Sequence, residues 1–315
     1  MAQTGKEGRI LAENFTPAYQ KLGVKALRAR GDQLAELASP CRLCPRECGA
    51  LRREGETGYC RTSFSPIVSS IHPHFGEEGC LVGKGGSGTV FLTNCSLGCL
   101  FCQNSDISHL GKGRSITIQD LADSLMALQD LGCHNINFVT PTHQIHAIVK
   151  AIALAAERGL TLPLVYNTGA YDPVPTLRLL EGIFDIYMPD LKFTGTGPAM
   201  TLADAPDYPD AAKRAILEMH RQVGDLVLDK GGIAVRGLLV RHLVLPSGLA
   251  GSDEAFRFLA EEVSRDTWVN VMAQYRPCYR AAEIPAIGRH LDREEYLAAL
   301  SLARKHGLGR LDPGQ

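Results

Sequence analysis

Short runs rich in β-branched residues alternate with longer stretches that carry apolar residues at helical spacing, from residue 89 almost to the end of the chain. Such alternation is typical of βα units repeated around a parallel sheet. It predicts strands at residues 89–94, 136–140, 162–168, 185–189, 234–245 and 268–274, and helices at residues 117–131, 143–158, 173–181, 211–223, 252–264 and 293–306. Six units predict an α/β fold, a partial (β/α)6 TIM-like barrel, with its chemistry on the loops that follow the carboxyl ends of the strands.

The chain ahead of the predicted barrel changes character at its first cysteine. Residues 9–38 are rich in Ala, Leu, Arg and Glu at helical spacing, which predicts one or two helices on the outside of the main domain. Residues 41–88 are rich in Gly, Pro and Cys with only short apolar runs, which predicts an irregular segment held by a metal. We therefore expect N-terminal helices and a Cys-rich metal-binding segment in residues 1–88, the partial barrel in 89–285, and a C-terminal helix and tail in 286–315.

Composition narrows the classes of function. A formal net charge of -1 with dispersed basic residues offers no basic stripe for nucleic acid. No stretch reaches the roughly 18 to 20 apolar residues that span a bilayer, and the first residues lack the apolar run of a secretory signal. Seven of the 10 cysteines fall into two tight groups, which favours metal ligation in a reducing compartment over a disulfide framework. We expect a cytoplasmic protein that binds neither nucleic acid nor a membrane.

Three cysteines, Cys95, Cys99 and Cys102, follow the first predicted strand within eight residues. Thiolates are the soft ligands that iron–sulfur clusters require, so this loop predicts a 4Fe-4S cluster. Because no fourth cysteine lies nearby, one iron would be left open for a substrate to chelate. The alternatives are three buried cysteines, or a zinc site completed by a distant histidine, although zinc sites usually bring paired CxxC or matched histidines.

The spacing CxxxCx(aromatic)C, with Phe101 as the aromatic residue, resembles the signature of the radical S-adenosylmethionine (SAM) superfamily. Residues 87–104, 137–143, 166–169 and 190–192 resemble the PflX-type branch related to pyruvate formate-lyase activating enzymes, and the resemblance covers roughly residues 35–280. It implies a radical SAM oxidoreductase that cleaves SAM at the cluster to a 5′-deoxyadenosyl radical for hydrogen abstraction. It also implies a one-electron donor such as flavodoxin or ferredoxin, and a glycyl radical enzyme as the partner to be activated.

Two other functions stay open. One is radical modification of a small molecule or peptide, and the other is a non-catalytic iron–sulfur binding protein.

The resemblance also implies candidate SAM contacts at the strand ends. Where the superfamily often has Gly-Gly-Glu, this sequence has Thr140 and Thr142, whose hydroxyls can accept from an ammonium group. The alternative is that Pro141 starts a helix capped by Thr140. Asn167 and Thr168 are candidates for the ribose or the methionyl carboxylate, or else form a turn before Gly169.

Charged candidates follow the fourth and fifth predicted strands. Asp190 and Lys192 resemble the Asp-x-Lys element of the activating enzymes, in which the lysine approaches the SAM carboxylate and the aspartate helps to bind a monovalent cation; the alternative is an exposed ion pair. Arg241 aligns with an arginine of those enzymes. Only one of Arg241 and His242 can point into the barrel. His242 is a reserve candidate, because a lone histidine in a strand is more often a packed, hydrogen-bonded residue than a catalyst. Gln274, Tyr275 and Arg276 are candidates to reach the adenosine or a substrate.

A second group of four cysteines, Cys41, Cys44, Cys48 and Cys60, precedes the predicted barrel. Four thiolates can close a tetrahedral zinc site or hold a second iron–sulfur cluster. A structural zinc is slightly favoured, because it would stabilise a segment that is poor in apolar residues. Reactive or chance-clustered thiols are the alternative. The isolated Cys80, Cys133 and Cys278 are expected to be small buried residues, with Cys278 near the barrel mouth.

Overall fold

The computed structural model describes residues 15–312. Its strands are β1 (Ile67–His74), β2 (Ser87–Leu92), β3 (Arg114–Ser115), β4 (Ile136–Val139), β5 (Leu164–Thr168), β6 (Ile186–Pro189), β7 (Val227–Leu228), β8 (Ala234–Leu243), β9 (Trp268–Met272) and β10 (Arg310–Leu311). Its α-helices are α1 (Ala18–Leu22), α2 (Val24–Leu37), α3 (Gly79–Val82), α4 (Ser105–Ser108), α5 (Ile118–Asp130), α6 (Ile145–Glu157), α7 (Val174–Leu179), α8 (Thr196–Ala203), α9 (Tyr208–Val223), α10 (Ser252–Phe258) and α11 (Arg293–Lys305).

The strands form one sheet in the order β10-β9-β8-β6-β5-β4-β2-β1-β3, and β7 pairs with β8. All neighbours from β2 to β10 along this order are parallel, whereas β1 and β3 pair antiparallel at one edge. Within residues 15–312 no pairing joins the two ends of the sheet. The predicted α/β fold with a partial barrel of six βα units is confirmed, and the six predicted strands are present with boundaries that differ by at most two residues.

The predicted helices are also present, and local sequence explains their ends. For example, α5 begins at a capping box, in which the Thr117 hydroxyl accepts from the Asp120 amide at 3.0 Å and the Asp120 carboxylate accepts from the Thr117 amide at 3.1 Å. Helix α10 continues into a π-helical turn at Leu259–Val263. None of the helices in the described residues combines the length and apolar character needed to cross a bilayer.

The two predicted N-terminal helices are present and pack against the outside of the main domain. Helix α2 lies against α6 and buries Leu27 and Leu34 completely. The Asp185 carboxylate, just before β6, accepts from the Ala18 amide at 2.7 Å and so fixes the start of α1. Residues 9–14 of the predicted helical stretch lie outside the described residues.

The expectation that residues 41–88 are irregular is wrong for their second half. Strand β1 pairs with β2 over most of its length, and the short helix α3 follows it. The apolar side of α3 inserts Cys80 and Leu81 among residues of the sheet's inner face, a set that includes Val165, Ile186 and Leu239. Apolar burial therefore holds this part of the segment, and α3 plugs the inside of the curved sheet at the end opposite the strand carboxyl termini. Helix α8 was also missed, because its Gly and Pro residues are typical of a loop.

Candidate functional site

A cavity of about 380 Å³ opens at the carboxyl ends of the parallel strands. Strands β2, β4, β5, β6, β8 and β9, or the loops directly after them, all contribute to its wall. The contributing residues include Phe91, Cys95, Cys99, Cys102, Val139, Thr140, Asn167, Thr168, Asp190, Lys192, Arg241, Leu243, Met272 and Gln274. The cavity therefore lies where a parallel α/β barrel places its chemistry.

We call Cys95, Cys99 and Cys102 the inner cysteine group. Their loop leaves β2 through Asn94, whose φ of 67° is a left-handed conformation that Asn tolerates better than most residues. The Leu97 amide N–H points at the Cys95 Sγ at 3.4 Å, and the Ser108 hydroxyl lies 3.1 Å from the Cys102 Sγ. All three thiols face the cavity, on one short loop.

Burial and the negative charge of neighbouring thiolates act in the same direction on two thiols of the inner group. Together they raise the pKa of Cys95 to about 11 and that of Cys99 to about 12. The Lys192 ammonium opposes these shifts at both thiols. Metal binding requires thiolates, so it would be accompanied by proton release, and Lys192 would offset part of the resulting negative charge.

A buried ionic network lines the same cavity. The Asp190 carboxylate accepts from Arg241 Nε at 2.6 Å through one oxygen and from Lys192 Nζ at 2.5 Å through the other. Arg241 also donates to the Asn167 Oδ1 at 2.7 Å. Burial disfavours ionisation of Asp190, but the charges of Arg241 and Lys192 outweigh it and hold the pKa of Asp190 below its ordinary value. Since the Asp190 and Lys192 side chains are only 14% and 20% exposed, the alternative of an exposed surface pair is wrong.

Glu77 belongs to this site and was missed by sequence reasoning. It lines the cavity from the bend just before α3, with its carboxylate 3.4 Å from Arg241. Burial raises the pKa of Glu77 to about 7, against the opposing charge of Arg241. Its neighbour Glu78 accepts from Asn270 Nδ2 at 2.9 Å. The signal that could have found them was an acidic pair next to the apolar side chains of α3.

The two threonines after β4 have different positions. Thr140 lines the cavity in a left-handed conformation with φ of 59°, and its amide donates to the Asn167 carbonyl at 2.8 Å. Because a 3-10 turn follows at Thr142–Gln144 and α6 begins only at Ile145, the alternative that Thr140 caps a helix starting at Pro141 is wrong.

The expected SAM contact at Thr142 is not supported, because its side chain is buried outside the cavity wall. The Thr142 and Thr168 hydroxyls each donate to the buried Asp172 carboxylate at 2.7 Å, and so does the Tyr166 hydroxyl. Burial raises the pKa of Asp172 in spite of these three hydrogen bonds. A buried carboxylate needs such donors, so both threonine hydroxyls are committed to Asp172, and Thr168 borders the cavity with its hydroxyl turned away from it.

Of the remaining candidates, one lines the cavity, one is exposed outside it, and two are buried away from it. Gln274 lines the cavity, whereas Arg276 is exposed and lies outside the wall, so the expected cofactor contact at Arg276 is not supported. Tyr275 is buried and donates to the Ile287 carbonyl at 2.6 Å. His242 is packed as expected, with ring nitrogens 2.7 Å from the Leu191 carbonyl and 2.9 Å from a serine hydroxyl, and burial lowers its pKa to about 4.

We call Cys41, Cys44, Cys48 and Cys60 the outer cysteine group. Burial, together with the negative charge of the other three thiolates, raises the pKa of Cys44 to about 12. No disulfide joins any of the ten cysteines, all of which fall in the described part of the chain. Within residues 15–312, no three His, Cys, Asp or Glu side chains have the spacing of ligands around a single ion. Cys80 and Cys133 are buried, as expected, and Cys278 is partly exposed.

Fold and site together define an α/β partial-barrel protein with a cysteine-lined cavity at its strand ends. No protein-family model matches the chain. It is 33% identical over 278 residues to the uncharacterized protein MJ0674 of Methanocaldococcus jannaschii, a match that covers 85% of this chain and 75% of that protein. The chain belongs to the same family as this archaeal protein.

Two solved structures are similar to part of the chain. A radical SAM methyltransferase from Sphaerobacter thermophilus has a TM-score of 0.48 and 18% identity, over 70% of this chain and 64% of the methyltransferase. HydG, a maturase of the FeFe-hydrogenase, has a TM-score of 0.48 and 12% identity, over 69% of this chain and 48% of HydG. The chain thus spans less than two thirds of either enzyme.

Glu77 should give the stability of the protein a pH dependence that Glu77→Gln removes. Because its pKa rises from an ordinary 4.5 to about 7 on folding, the folded state favours the protonated form. The stabilising contribution of protonated Glu77 is therefore complete below pH 4.5 and is lost as the pH rises through about 7. Urea denaturation across this range should show the wild type losing stability relative to Glu77→Gln, while the exposed control Glu262→Gln should parallel the wild type. Parallel curves for the wild type and Glu77→Gln would contradict this assignment.

Proposed function

We propose that this chain is a radical SAM oxidoreductase. Cys95, Cys99 and Cys102 would hold a 4Fe-4S cluster, which would supply the electron for reductive cleavage of SAM to methionine and a 5′-deoxyadenosyl radical. The radical would abstract a hydrogen atom from a substrate. One observation carries the proposal: the three thiols of the inner group and the network of Asp190, Lys192 and Arg241 line the same cavity at the strand ends.

The inner cysteine group fits such a cluster by its donor chemistry. Three thiolates can serve three irons and leave the fourth iron without a protein ligand. The Leu97 amide directed at Cys95 is the kind of N–H donor that stabilises a cluster thiolate. Phe101 fixes the loop from behind, because its ring packs against Phe193 and Tyr275 with centroids 5.9 and 6.1 Å away.

The ionic network fits a zwitterionic cofactor that also carries a sulfonium. Lys192 would bind the methionyl carboxylate, and Asp190 holds the Lys192 ammonium in position. Arg241 orients both Asp190 and Asn167, so that the polar groups of two strand ends are fixed before the cofactor arrives. We also propose that Asp190 takes part in binding a monovalent cation.

The size of the cavity and its apolar wall residues suit the binding of SAM and the exclusion of water. The cavity volume of about 380 Å³ falls in the usual range for small-molecule sites. Its apolar wall residues include Leu92, Leu97, Leu243 and Met272. With SAM in place, these side chains would keep bulk water from a carbon radical.

The proposed substrate is a backbone glycine of a partner enzyme, as in the pyruvate formate-lyase activating enzymes. The resemblance of residues 137–143, 166–169 and 190–192 to that branch supports this choice. The proposal includes reduced flavodoxin or ferredoxin as the one-electron donor and a cytoplasmic location. Radical modification of a small molecule or peptide is the other outcome of the isotope experiment that identifies the hydrogen donor.

The cluster-loaded protein should form 5′-deoxyadenosine when it is reduced anaerobically with SAM. Cys99→Ala should form none above background, because the cluster loses one of its three ligands. The matched control is Cys133→Ala, which removes a buried thiol outside the cavity and should retain activity. Chromatography of the quenched reactions measures the product. Absence of product from the wild type, or equal product from Cys99→Ala, would rule the proposal out. Deuterium transfer from labelled candidates into 5′-deoxyadenosine then identifies the substrate.

Lys192→Met should weaken SAM binding by roughly tenfold to 100-fold, since a charged hydrogen bond to the carboxylate is worth about 1.5–3 kcal/mol. Exposed Arg276, outside the cavity wall, provides the control variant Arg276→Ala, whose affinity should match the wild type. Anaerobic equilibrium dialysis with cluster-loaded protein measures both dissociation constants. Equal affinities for the wild type and Lys192→Met would show that Lys192 does not hold the carboxylate.

A further inference from the structure

The outer cysteine group belongs to a loop that folds back on itself. Cys41 and the far end of the loop are joined by two backbone hydrogen bonds, from the Cys41 amide to the Ala50 carbonyl and from the Gly49 amide to the Cys41 carbonyl, both of 3.0 Å. Gly58 then packs directly on Cys48, where an added Cβ would lie 2.2 Å from the Cys48 Sγ. This contact favours glycine at position 58 and brings the turn before Cys60 close to Cys48.

The same loop docks on the loop of the inner cysteine group. Arg46, between two outer cysteines, donates to the Ser96 carbonyl at 2.6 Å and to the Asp204 carbonyl at 2.7 Å. Its guanidinium stacks on the Tyr59 ring at 3.4 Å from the centroid. Ser96 directly follows Cys95 and Tyr59 directly precedes Cys60, so the two cysteine groups meet side by side.

A second contact fixes the same juxtaposition from the other side. The Asn94 side-chain amide donates to the Thr62 hydroxyl at 3.1 Å. Asn94 is adjacent to Cys95 in the chain, and Thr62 lies two residues after Cys60. The packing of Gly98 on Tyr59 is equally close, since an added Cβ on Gly98 would lie 2.4 Å from the Tyr59 hydroxyl oxygen.

The outer group also reaches the surface. Cys41, Cys44 and Cys60 are at most 7% exposed, whereas Cys48 is exposed to solvent. The four thiols therefore extend from the protein surface to the edge of the inner loop. An external protein can approach the Cys48 end, while the Cys60 end lies beside Cys95.

The surroundings of the outer cysteine group favour iron and sulfide over zinc. The cysteine spacing suits either kind of site, so the groups around the thiols decide between them. The buried Arg52 guanidinium donates toward the Cys41 Sγ at 3.8 Å and to the His143 carbonyl at 2.8 Å. A cationic donor next to a thiolate offsets cluster charge and adjusts its reduction potential. Zinc has no redox chemistry, so a zinc ion at this position could not transfer electrons to the inner cysteine group.

We propose that Cys41, Cys44, Cys48 and Cys60 hold a second iron–sulfur cluster that relays electrons to the inner cysteine group. One electron from an external donor of the flavodoxin or ferredoxin class enters at the Cys48 side, reducing the second cluster by one electron. The same electron leaves beside Cys60 for the inner cluster, and the second cluster returns to its oxidised form. The relay rests on the proposed radical SAM function, whereas the occupancy of the outer group does not.

Metal analysis of two sets of variants tests the occupancy. The triple variant Cys95→Ala/Cys99→Ala/Cys102→Ala, purified anaerobically and supplied with iron and sulfide, should retain about four irons and about four sulfides per chain, half of the wild-type content. It should also give an electron paramagnetic resonance signal after reduction. One zinc without sulfide in this variant, or no metal in a chain whose circular dichroism matches the wild type, would overturn the proposal.

The relay has its own test in Cys48→Ala, which changes an exposed side chain and leaves the three buried thiols in place. Stopped-flow reduction of the inner cluster by reduced flavodoxin should slow at least tenfold, while the inner cluster keeps its iron. An unchanged rate would overturn the relay. A wild type that holds both clusters but never cleaves SAM would contradict the radical SAM function and leave the outer site standing.

Discussion

The site depends on the buried carboxylate of Asp190 and on the two cations that neutralise it. A carboxylate at this depth would not stay ionised alone, yet Arg241 and Lys192 hold its pKa below the ordinary value. Arg241 and Lys192 share the compensation of this charge, so that removal of either cation leaves Asp190 with one cationic donor. Through Arg241 the same charge also positions Asn167, so one ionic contact orders the ends of β5, β6 and β8.

The inner face of the curved sheet has two parts. It is apolar toward the amino ends of the strands and polar toward their carboxyl ends. Alternation along β5 places Val165 and Asn167 on the inner face, with Tyr166 turned outward. Helix α3 closes the apolar part with Cys80 and Leu81, and the bend just before this helix places Glu77 in the polar part. The low dielectric of the plugged interior strengthens the interactions among Glu77, Arg241 and Asp190.

Much of this arrangement could be predicted from the sequence, because buried parallel strands and amphipathic helices have strong patterns. The order of βα units implied that Cys95, Asp190 and Arg241 would meet, since carboxyl ends of parallel strands share one edge. Helix α3 could not be predicted, because it is four residues long and depends on contacts with distant strands. The position of Thr142 could not be predicted either, since it follows from the hydrogen-bond demand of the buried Asp172. The proximity of the two cysteine groups required the three-dimensional docking by Arg46.

An open iron at the inner cysteine group should bind SAM directly. Pulsed electron paramagnetic resonance of the reduced, cluster-loaded wild type, with SAM that carries an isotopically labelled methionyl nitrogen, tests this most directly. Saturating SAM should shift the cluster spectrum and the labelled nitrogen should couple to it, with neither effect in Cys99→Ala. Identical spectra with and without SAM, from a wild-type protein shown to contain the cluster, would contradict direct binding.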